Sequence, residues 1–435
     1  MPDNTSKELE QPRRDEATAD DAARLPPVVG IGASAGGIEA LSHLFDAMPP
    51  DAGLVFVVVL HLDPTRESQL SAILALHTAM PVVEIDDGMR VAPDHVYVIA
   101  PNFDLTLEGD VLRLIEPPQP RGHRHPVDVL FRSLAEQRRE RAIAVVLSGT
   151  GTNGTQGLKE IKAAGGLILI QDPATARFDG MPRSAISASL ADHVQNPGEM
   201  GATILRYVQH GYVAAPDAIP AAGGGLDLVL DVLRANAGQD FRPYRPAMLL
   251  RRINRRMSLG NIAELGAYIE LLRSDAEEIR ALVRDMLISV TGFFRDDDAW
   301  SAFDEAVITP LVAERDTGAA IRVWVPACAT GEEAYSVAMM LVERAEAEDK
   351  HFDLKIFASD PQDVNLNTAR DGVYPGSSVE LLPPERTRRF FEKLDGAYRV
   401  RKELRDLIVF ARQDVLRDPP FSRMDLITCR NMLIY

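Results

Sequence analysis

At 435 residues the chain is too long for one ordinary core, and two or three domains are expected. A hydrophobic share of 46% and a charged share of 26% are those of a soluble globular protein, and a net charge of -17 argues against general nucleic-acid binding. Cys328 and Cys429 are too few for a disulfide scaffold and fit a reduced, cytoplasmic setting.

The first 24 residues are polar, mixed in charge and without an apolar run, so they read as a disordered tail and not as a signal peptide. An α/β domain is expected over 25–213. Strands are predicted at Val28–Ile31, Leu54–Leu60, Val96–Ala100, Ala142–Leu147 and Leu167–Ile170. Helices are predicted at Gly37–Ala47, Gln69–His77, Pro126–Glu140 and Thr155–Ala164. The apolar block Val55–Leu60 is far shorter than the ~20 residues of a membrane helix and reads as a buried strand. Such alternation gives a mostly parallel sheet with helices on both faces, and ligands sit beyond the carboxyl ends of its strands.

An Ala-, Pro- and Gly-rich stretch marks a linker, 214–238. An all-α domain is expected over 239–312, where Ile262–Arg273 and Glu277–Leu287 carry apolar residues at helical spacing. Over 313–435 the alternation returns at Ile321–Val325, Ala334–Ala345, Lys355–Ser359, Leu407–Ala411 and Met424–Cys429. The expected fold class is α/β: two doubly wound, mostly parallel sheets of Rossmann type separated by a small all-α domain. A domain whose first strand starts at Ile321 usually needs more sheet than precedes Tyr435, so the C-terminal domain is expected to be incomplete.

Three strand-end loops of the first domain carry polar residues. Ser34 sits in Gly-Ile-Gly-Ala-Ser-Ala-Gly-Gly, where Gly32, Gly36 and Gly37 allow a sharp turn and close backbone approach. His61 ends the second predicted strand, and Leu147–Gly154 follows the fourth. Serine needs a base to become a nucleophile, histidine is the usual one, and a carboxylate normally fixes the imidazole tautomer. The turn Gly30-x-Gly32 also fits a dinucleotide site and so an oxidoreductase, but that reading needs an acid where His61 stands. His123 and His125 lack accompanying ligands, and no metal site is expected.

Six ordered blocks carry a resemblance over roughly 26–212: Gly-Ala-Ser-Ala-Gly-Gly, the His61 strand end, Val96–Asn102, Val127–Phe131, Ser148–Gly151 and Asp179–Ile186. They resemble the catalytic domain of the chemotaxis receptor methylesterase (CheB-like) family. The resemblance implies Ser34 as nucleophile, His61 as base, an oxyanion contribution from Gly149–Gly151 and a cleft lined by Phe178–Arg183. It implies hydrolysis of glutamyl methyl esters on receptors and glutamine deamidation by the same acyl-enzyme route. The family places an aspartate where this chain has Asn153. Asparagine cannot stabilise a charged imidazole, and the same change in a serine protease lowers turnover about 10⁴-fold. A slow or inactive esterase is therefore expected unless another acid, such as Asp63 or Asp172, substitutes.

Farther along, Phe241–Met257 holds six arginines and no acid. Leu249, Leu250, Ile253 and Met257 share one helical face, and Arg251, Arg252, Arg255 and Arg256 lie away from it. The arginines are read as a dock for an anionic partner or as a solvated face balanced by nearby acids. Ser289–Asp296, Val323–Ser336, Ser359-Asp360, Arg412–Leu416 and Thr428–Tyr435 complete a second set. Together these residues resemble the chemotaxis receptor methyltransferase (CheR-like) family over roughly 240–435. The resemblance implies S-adenosyl-L-methionine as donor and receptor glutamates as acceptors. It assigns donor contacts to Thr291, Arg295 and Glu332, with Glu333 as the alternative. Asp360 holds the ribose, Asp414 and Val415 the adenine side, and Arg430 and Asn431 the strand-end pocket. Tyr435 and Arg295 flank the methyl-transfer path, and the basic helix docks acidic receptor helices. Ala327 stands where the family usually has glycine, and Asp414 where it usually has asparagine. The expected function is bifunctional modification of a methyl-accepting receptor, with a degenerate signalling scaffold or donor sensor as the alternative.

Overall fold

The structure, a computed structural model, describes residues 25–60, 69–117, 124–214, 225–287, 290–380, 382–394 and 396–434. The expected tail, His61, Asp63, His123 and Tyr435 lie outside these residues.

The first domain contains β1 (Val28–Ala33), α1 (Gly37–Asp46), β2 (Val55–Leu60), β3 (Val82–Glu84), β4 (His95–Val98) and α2 (Pro126–Arg138). It continues with β5 (Ala142–Val146), α3 (Thr155–Ala164), β6 (Leu167–Gln171), α4 (Gly180–Ser187), β7 (His193–Gln195) and α5 (Pro197–Gln209). The strands form one parallel sheet in the order β7-β6-β5-β1-β2-β4-β3. β1, β2, β5 and β6 are buried at every position, which is why they read as unbroken apolar runs. On one face Leu41, Leu44 and Phe45 of α1 join Met200 and Ile204 of α5 in a shared core. On the other, Leu130, Phe131 and Leu134 of α2 join Leu158 and Ile161 of α3.

The chain order reverses between β1 and β5, so the loops after those strands flank the point where such sheets take ligands. The glycines of β1 serve packing there. A Cβ at Gly30 would meet Leu134 Cδ1 at 2.4 Å, and one at Gly32 would meet Val127 Cγ1 at 2.3 Å. Both glycines let α2 lie close on the sheet, which accounts for them without a dinucleotide.

Four helices follow: α6 (Gly225–Ala237), α7 (Pro246–Leu259), α8 (Leu265–Ser274) and α9 (Ala276–Met286). Their core joins Leu226, Val229 and Leu233 of α6 to Leu249 and Ile253 of α7 and Leu282 of α9. The linker expected over 214–238 is thus corrected in its second part. Residues 225–237 bury a helical stripe behind the glycine run that disguised it, and 215–224 lie outside the described residues.

The arginines of α7 are the second correction. They are engaged within the chain: Arg251, Arg252 and Arg255 join the all-α domain to the first one, and Arg256 pairs inside the all-α domain. Arg255 is 0% exposed and pairs with Asp192 of the first domain at 2.5 Å and with Asp285 of α9 at 2.6 Å. Arg252 donates to the carbonyls of Lys162 and Ala163 at 3.0 and 2.7 Å. Arg251 donates to the Ala164 carbonyl and pairs with Glu140, each at 2.6 Å. Arg256 pairs with Glu278 inside the helical domain at 2.5 Å. The physical reason is the carboxyl end of α3, whose last carbonyls lack helical partners and carry negative dipole charge. Cations satisfy both demands.

The third part comprises β8 (Ala320–Pro326), α10 (Glu332–Ala347), β9 (Asp353–Asp360), β10 (Val373–Pro375), α11 (Gly376–Val379), β11 (Phe391–Lys393), β12 (Ala397–Val400), β13 (Ile408–Arg412) and β14 (Leu426–Ile427). β13-β9-β8-β14 form a parallel sheet. β10-β12-β11 form a small antiparallel sheet that leans toward the first domain, where Ser377 N–H meets Thr152 Oγ1 at 3.2 Å. Among the described residues no helix is long and apolar enough to cross a membrane.

Candidate active sites

The first site lies at the β1/β5 switch point. Ser34 follows β1, and its amide donates to the Ser148 carbonyl at 3.0 Å, tying the two strand-end loops together. The approach is close: a Cβ at Gly149 would meet Ser34 Cβ at 3.0 Å and Met181 Sδ at 2.3 Å. Gly36, at φ 76°, begins α1 and would carry a Cβ 2.7 Å from Ser148 Oγ. Ser148 is fully buried and stitches the loops by donating to Ala35 O at 2.9 Å and accepting from Phe178 N–H at 3.0 Å. The Gly149 amide donates to Phe178 O at 2.9 Å, so that amide is engaged by the cleft loop and is not available to an oxyanion.

Asn153 is buried, and its Oδ1 accepts the Asp128 backbone N–H at 3.2 Å. A backbone N–H requires an acceptor, which fixes the amide orientation: Nδ2 of Asn153 turns away as a donor. Asp128, in the first turn of α2, faces the start of α3. Its Oδ1 accepts from Gly157 N–H at 2.7 Å, and burial pushes its carboxyl above the usual range. Asp172, one of the proposed substitute acids, caps its own turn by accepting from Ala174 N–H at 2.9 Å. A cavity of about 470 Å³ adjoins Asn153 and Leu60, and residues of the third part, Glu380 and Tyr398 among them, close its far side.

The second site is a cavity of about 310 Å³ beyond the carboxyl ends of β8 and β9. It brings together Thr291, Arg295, Asp360, Asp414, Val415, Arg430 and Asn431. Glu333, not Glu332, completes the set. Glu332 is 1% exposed, accepts from Thr330 Oγ1 at 2.6 Å and faces Lys159 of the first domain at 3.4 Å. Successive helical residues point about 100° apart, and in the helix that begins after Gly331, at φ 95°, Glu333 turns to the cavity while Glu332 turns to Lys159.

Asp360 fastens the strand ends to one another. Its carboxylate accepts from Ala329 N–H at 3.0 Å, Gln362 N–H at 2.9 Å and Asn365 Nδ2 at 3.1 Å, while burial pushes its carboxyl up. Burial also pushes Glu333 up, against the lowering effects of its hydrogen bond from Thr428 Oγ1 at 2.8 Å and of nearby Arg430. Arg430 donates to Arg295 O and to Asp296, both at 2.8 Å, and stacks over Trp300 at 5.0 Å. Arg295 donates to Val290 O at 2.9 Å.

Sequence reasoning missed Tyr244, Trp300 and Gln413 in this lining. Gln413 stands within the motif Arg412–Leu416, whereas no spacing signalled that Tyr244, before the basic helix, reaches this cavity. Among the described residues, two buried polar atoms here have no hydrogen-bond partner, Gln413 Oε1 and Trp300 Nε1. Three carboxylates and two guanidinium groups around a small cavity fit a compact, cationic, polyfunctional ligand such as S-adenosyl-L-methionine.

Comparison with known proteins agrees with this division. The family model for CheB methylesterase matches residues 29–204, that for the all-alpha domain of CheR methyltransferase matches 225–287, and that for its SAM binding domain matches 289–435. The chain is 41% identical over 390 residues to the "Uncharacterized 104.1 kDa protein in hypE 3'region" of Rhodobacter capsulatus, covering 84% of this chain and 41% of that protein. It is 35% identical over 179 residues to the protein-glutamate methylesterase/protein-glutamine glutaminase of Paraburkholderia xenovorans, covering 40% of this chain and 49% of that one. It is 32% identical over 204 residues to the chemotaxis protein methyltransferase of Listeria innocua, covering 47% of this chain and 76% of that one. The chain thus spans less than half the length of the first two relatives. Its first part belongs to the CheB methylesterase family and its remainder to the CheR methyltransferase family, joined in one polypeptide.

Proposed function

We propose that this chain modifies a methyl-accepting chemotaxis-type receptor at two sites: one methylates protein glutamates, and the other hydrolyses the resulting esters slowly. The observation that carries the reading is the convergence of Glu333, Asp360, Arg295 and Arg430 on one cavity at the ends of two parallel strands. S-adenosyl-L-methionine, when bound, supplies a methyl group already activated by its sulfonium charge. Asp360 accepts hydroxyls on the ribose side, and Glu333 offers the negative charge that a cationic ligand needs. Asp414 and Val415 border the adenine side, and Thr291, Arg430 and Asn431 close the rest. Arg295 orients the acceptor carboxylate. Most of the rate effect then comes from holding the reacting groups in line, since no proton transfer is required.

In the first domain Ser34 is the nucleophile, His61 its base and Asn153 the partner that departs from the usual acid. The loop bonds around Ser148 support this by holding the Ser34 turn rigidly over the sheet edge. The same acyl route deamidates receptor glutamine.

The test is receptor methyl turnover by the purified chain with tritiated donor. Label entering the receptor as base-labile methyl ester is expected, with slow release as methanol. A chain that neither binds the donor by calorimetry nor labels receptor would overturn the methyltransferase reading.

A further inference from the structure

Helix α3 of the esterase domain is gripped along its whole length by the methyltransferase half. At its amino end Ser377 N–H donates to Thr152 Oγ1 at 3.2 Å, and Gln156 Nε2 bonds Ser378 Oγ. In its middle Lys159 faces Glu332 at 3.4 Å and Glu160 faces Arg295 at 3.7 Å. At its carboxyl end Arg251 and Arg252 cap the last carbonyls.

These grips differ in kind. The Arg255 joint beside the carboxyl end is wholly buried and pairs with two carboxylates, so it is a fixed seam. The Glu160–Arg295 pair is loose, with side chains 28% and 34% exposed, and such pairs contribute little and exchange readily. Its position matters more than its strength, because Arg295 lines the donor cavity. A crevice of about 1840 Å³ runs along α3, and Leu287, Val290 and Gln362 border both it and the donor cavity. The crevice therefore adjoins the cavity whose wall carries the guanidinium that Glu160 faces.

We propose that Glu160 is a built-in competitor: a carboxylate on a fixed helix that occupies Arg295 until the acceptor glutamate of an acidic helical segment, entering along the crevice, displaces it. The inference rests on the methyltransferase reading above. It supplies what that reading lacks, namely a reason for an esterase-domain residue to touch the methyl-transfer site. It also places acceptor entry at the crevice beside α3 and not on the arginine face of α7, which the seam consumes.

The experiment uses the full chain and a fluorescein-labelled helical peptide carrying glutamates at helical spacing, followed by anisotropy. Glu160→Gln is isosteric and partly exposed, so the fold is expected to persist, with the thermal midpoint as the check. The peptide is expected to bind about two- to fivefold more tightly to Glu160→Gln than to the parent. The gain should vanish in an Arg295→Gln background, and where methyl transfer is measured KM should fall with kcat unchanged. Equal peptide affinity for parent and Glu160→Gln, or a gain that survives Arg295→Gln, overturns the proposal. Tighter peptide binding without methyl transfer in either protein would uphold the competition between Glu160 and an acidic segment for Arg295 and refute the methyltransferase reading instead.

Discussion

Asn153 holds the backbone amide of Asp128 on its side-chain oxygen at 3.2 Å, and that one bond decides what the rest of its amide can do. With the oxygen committed, the group left over is a donor. An aspartate in the same place would keep one oxygen on the Asp128 amide and offer the other as an acceptor, which is what an imidazole N–H needs. Asn153→Asp is therefore expected to raise hydrolysis of a methylated receptor at least tenfold and up to about 10⁴-fold, the size of the reverse change in a serine protease. Methanol release measures it, and no rise would remove Asn153 from the esterase machinery.

Neighbouring glutamates at the start of α10 should separate cleanly. Glu333 borders the cavity proposed for the donor, so Glu333→Gln is expected to weaken S-adenosyl-L-methionine binding about 10- to 100-fold, the loss of one charged hydrogen bond. Glu332 faces Lys159 instead, and Glu332→Gln should leave donor affinity within about twofold while lowering stability. Burial holds the Glu333 carboxyl above the usual range. On acidification the parent should lose donor affinity at a higher pH than an ordinary carboxylate would cause, because protonation removes the charge that attracts a cationic ligand. Calorimetry across pH reads both effects. The opposite ranking of the two variants would restore Glu332 to the site.

Ala327 adopts φ 51° and Ala329 φ 50° in the loop after β8. An L-residue in this left-handed region costs roughly 1–2 kcal/mol, partly offset by the greater chain entropy that glycine loses on folding. Ala327→Gly should thus stabilise the domain by about 0.5–1 kcal/mol, visible as a higher thermal midpoint. The loop borders the proposed donor cavity through Ala327 and Ala329, so donor affinity should hold or rise. A lower midpoint would mean that the side chain at 327 contributes packing that outweighs its strain.

The legible parts of this molecule are those whose signal is local. β1, β2 and β5 are buried on both faces and so are apolar throughout. The residues around Asp360 could be assembled because strand ends in a doubly wound sheet converge. What stayed hidden depended on contacts between distant segments. The periodicity of α7 marks Leu249 and Ile253 as inward, but nothing in a helix says that its opposite face meets another domain. Val373–Pro375, Phe391–Lys393 and Ala397–Val400 are strands of three or four residues, too short for alternation to declare itself. Glu332 and Glu333 are chemically identical neighbours, and only the local turn at Gly331 distinguishes them.

Arg255 and Asp192 give the seam between domains a definite pH signature. Burial alone would raise the Asp192 carboxyl, but Arg255 and Lys162 override it and hold the group below the usual range. A carboxylate depressed in the folded state favours folding above its unfolded value of about 3.9, and the benefit is lost as pH falls through the folded value. The stability gap between the parent and Asp192→Asn should accordingly be constant from about pH 5 to 8 and shrink below about pH 4. Arg255→Ala leaves Asp285 buried without its cation and Asp192 with Lys162 alone, and should destabilise by about 3–5 kcal/mol. Urea denaturation at several pH values measures both changes. If Arg255→Ala were nearly silent, the seam would be an opposable contact, and the arginine face of α7 would again be free to meet a partner.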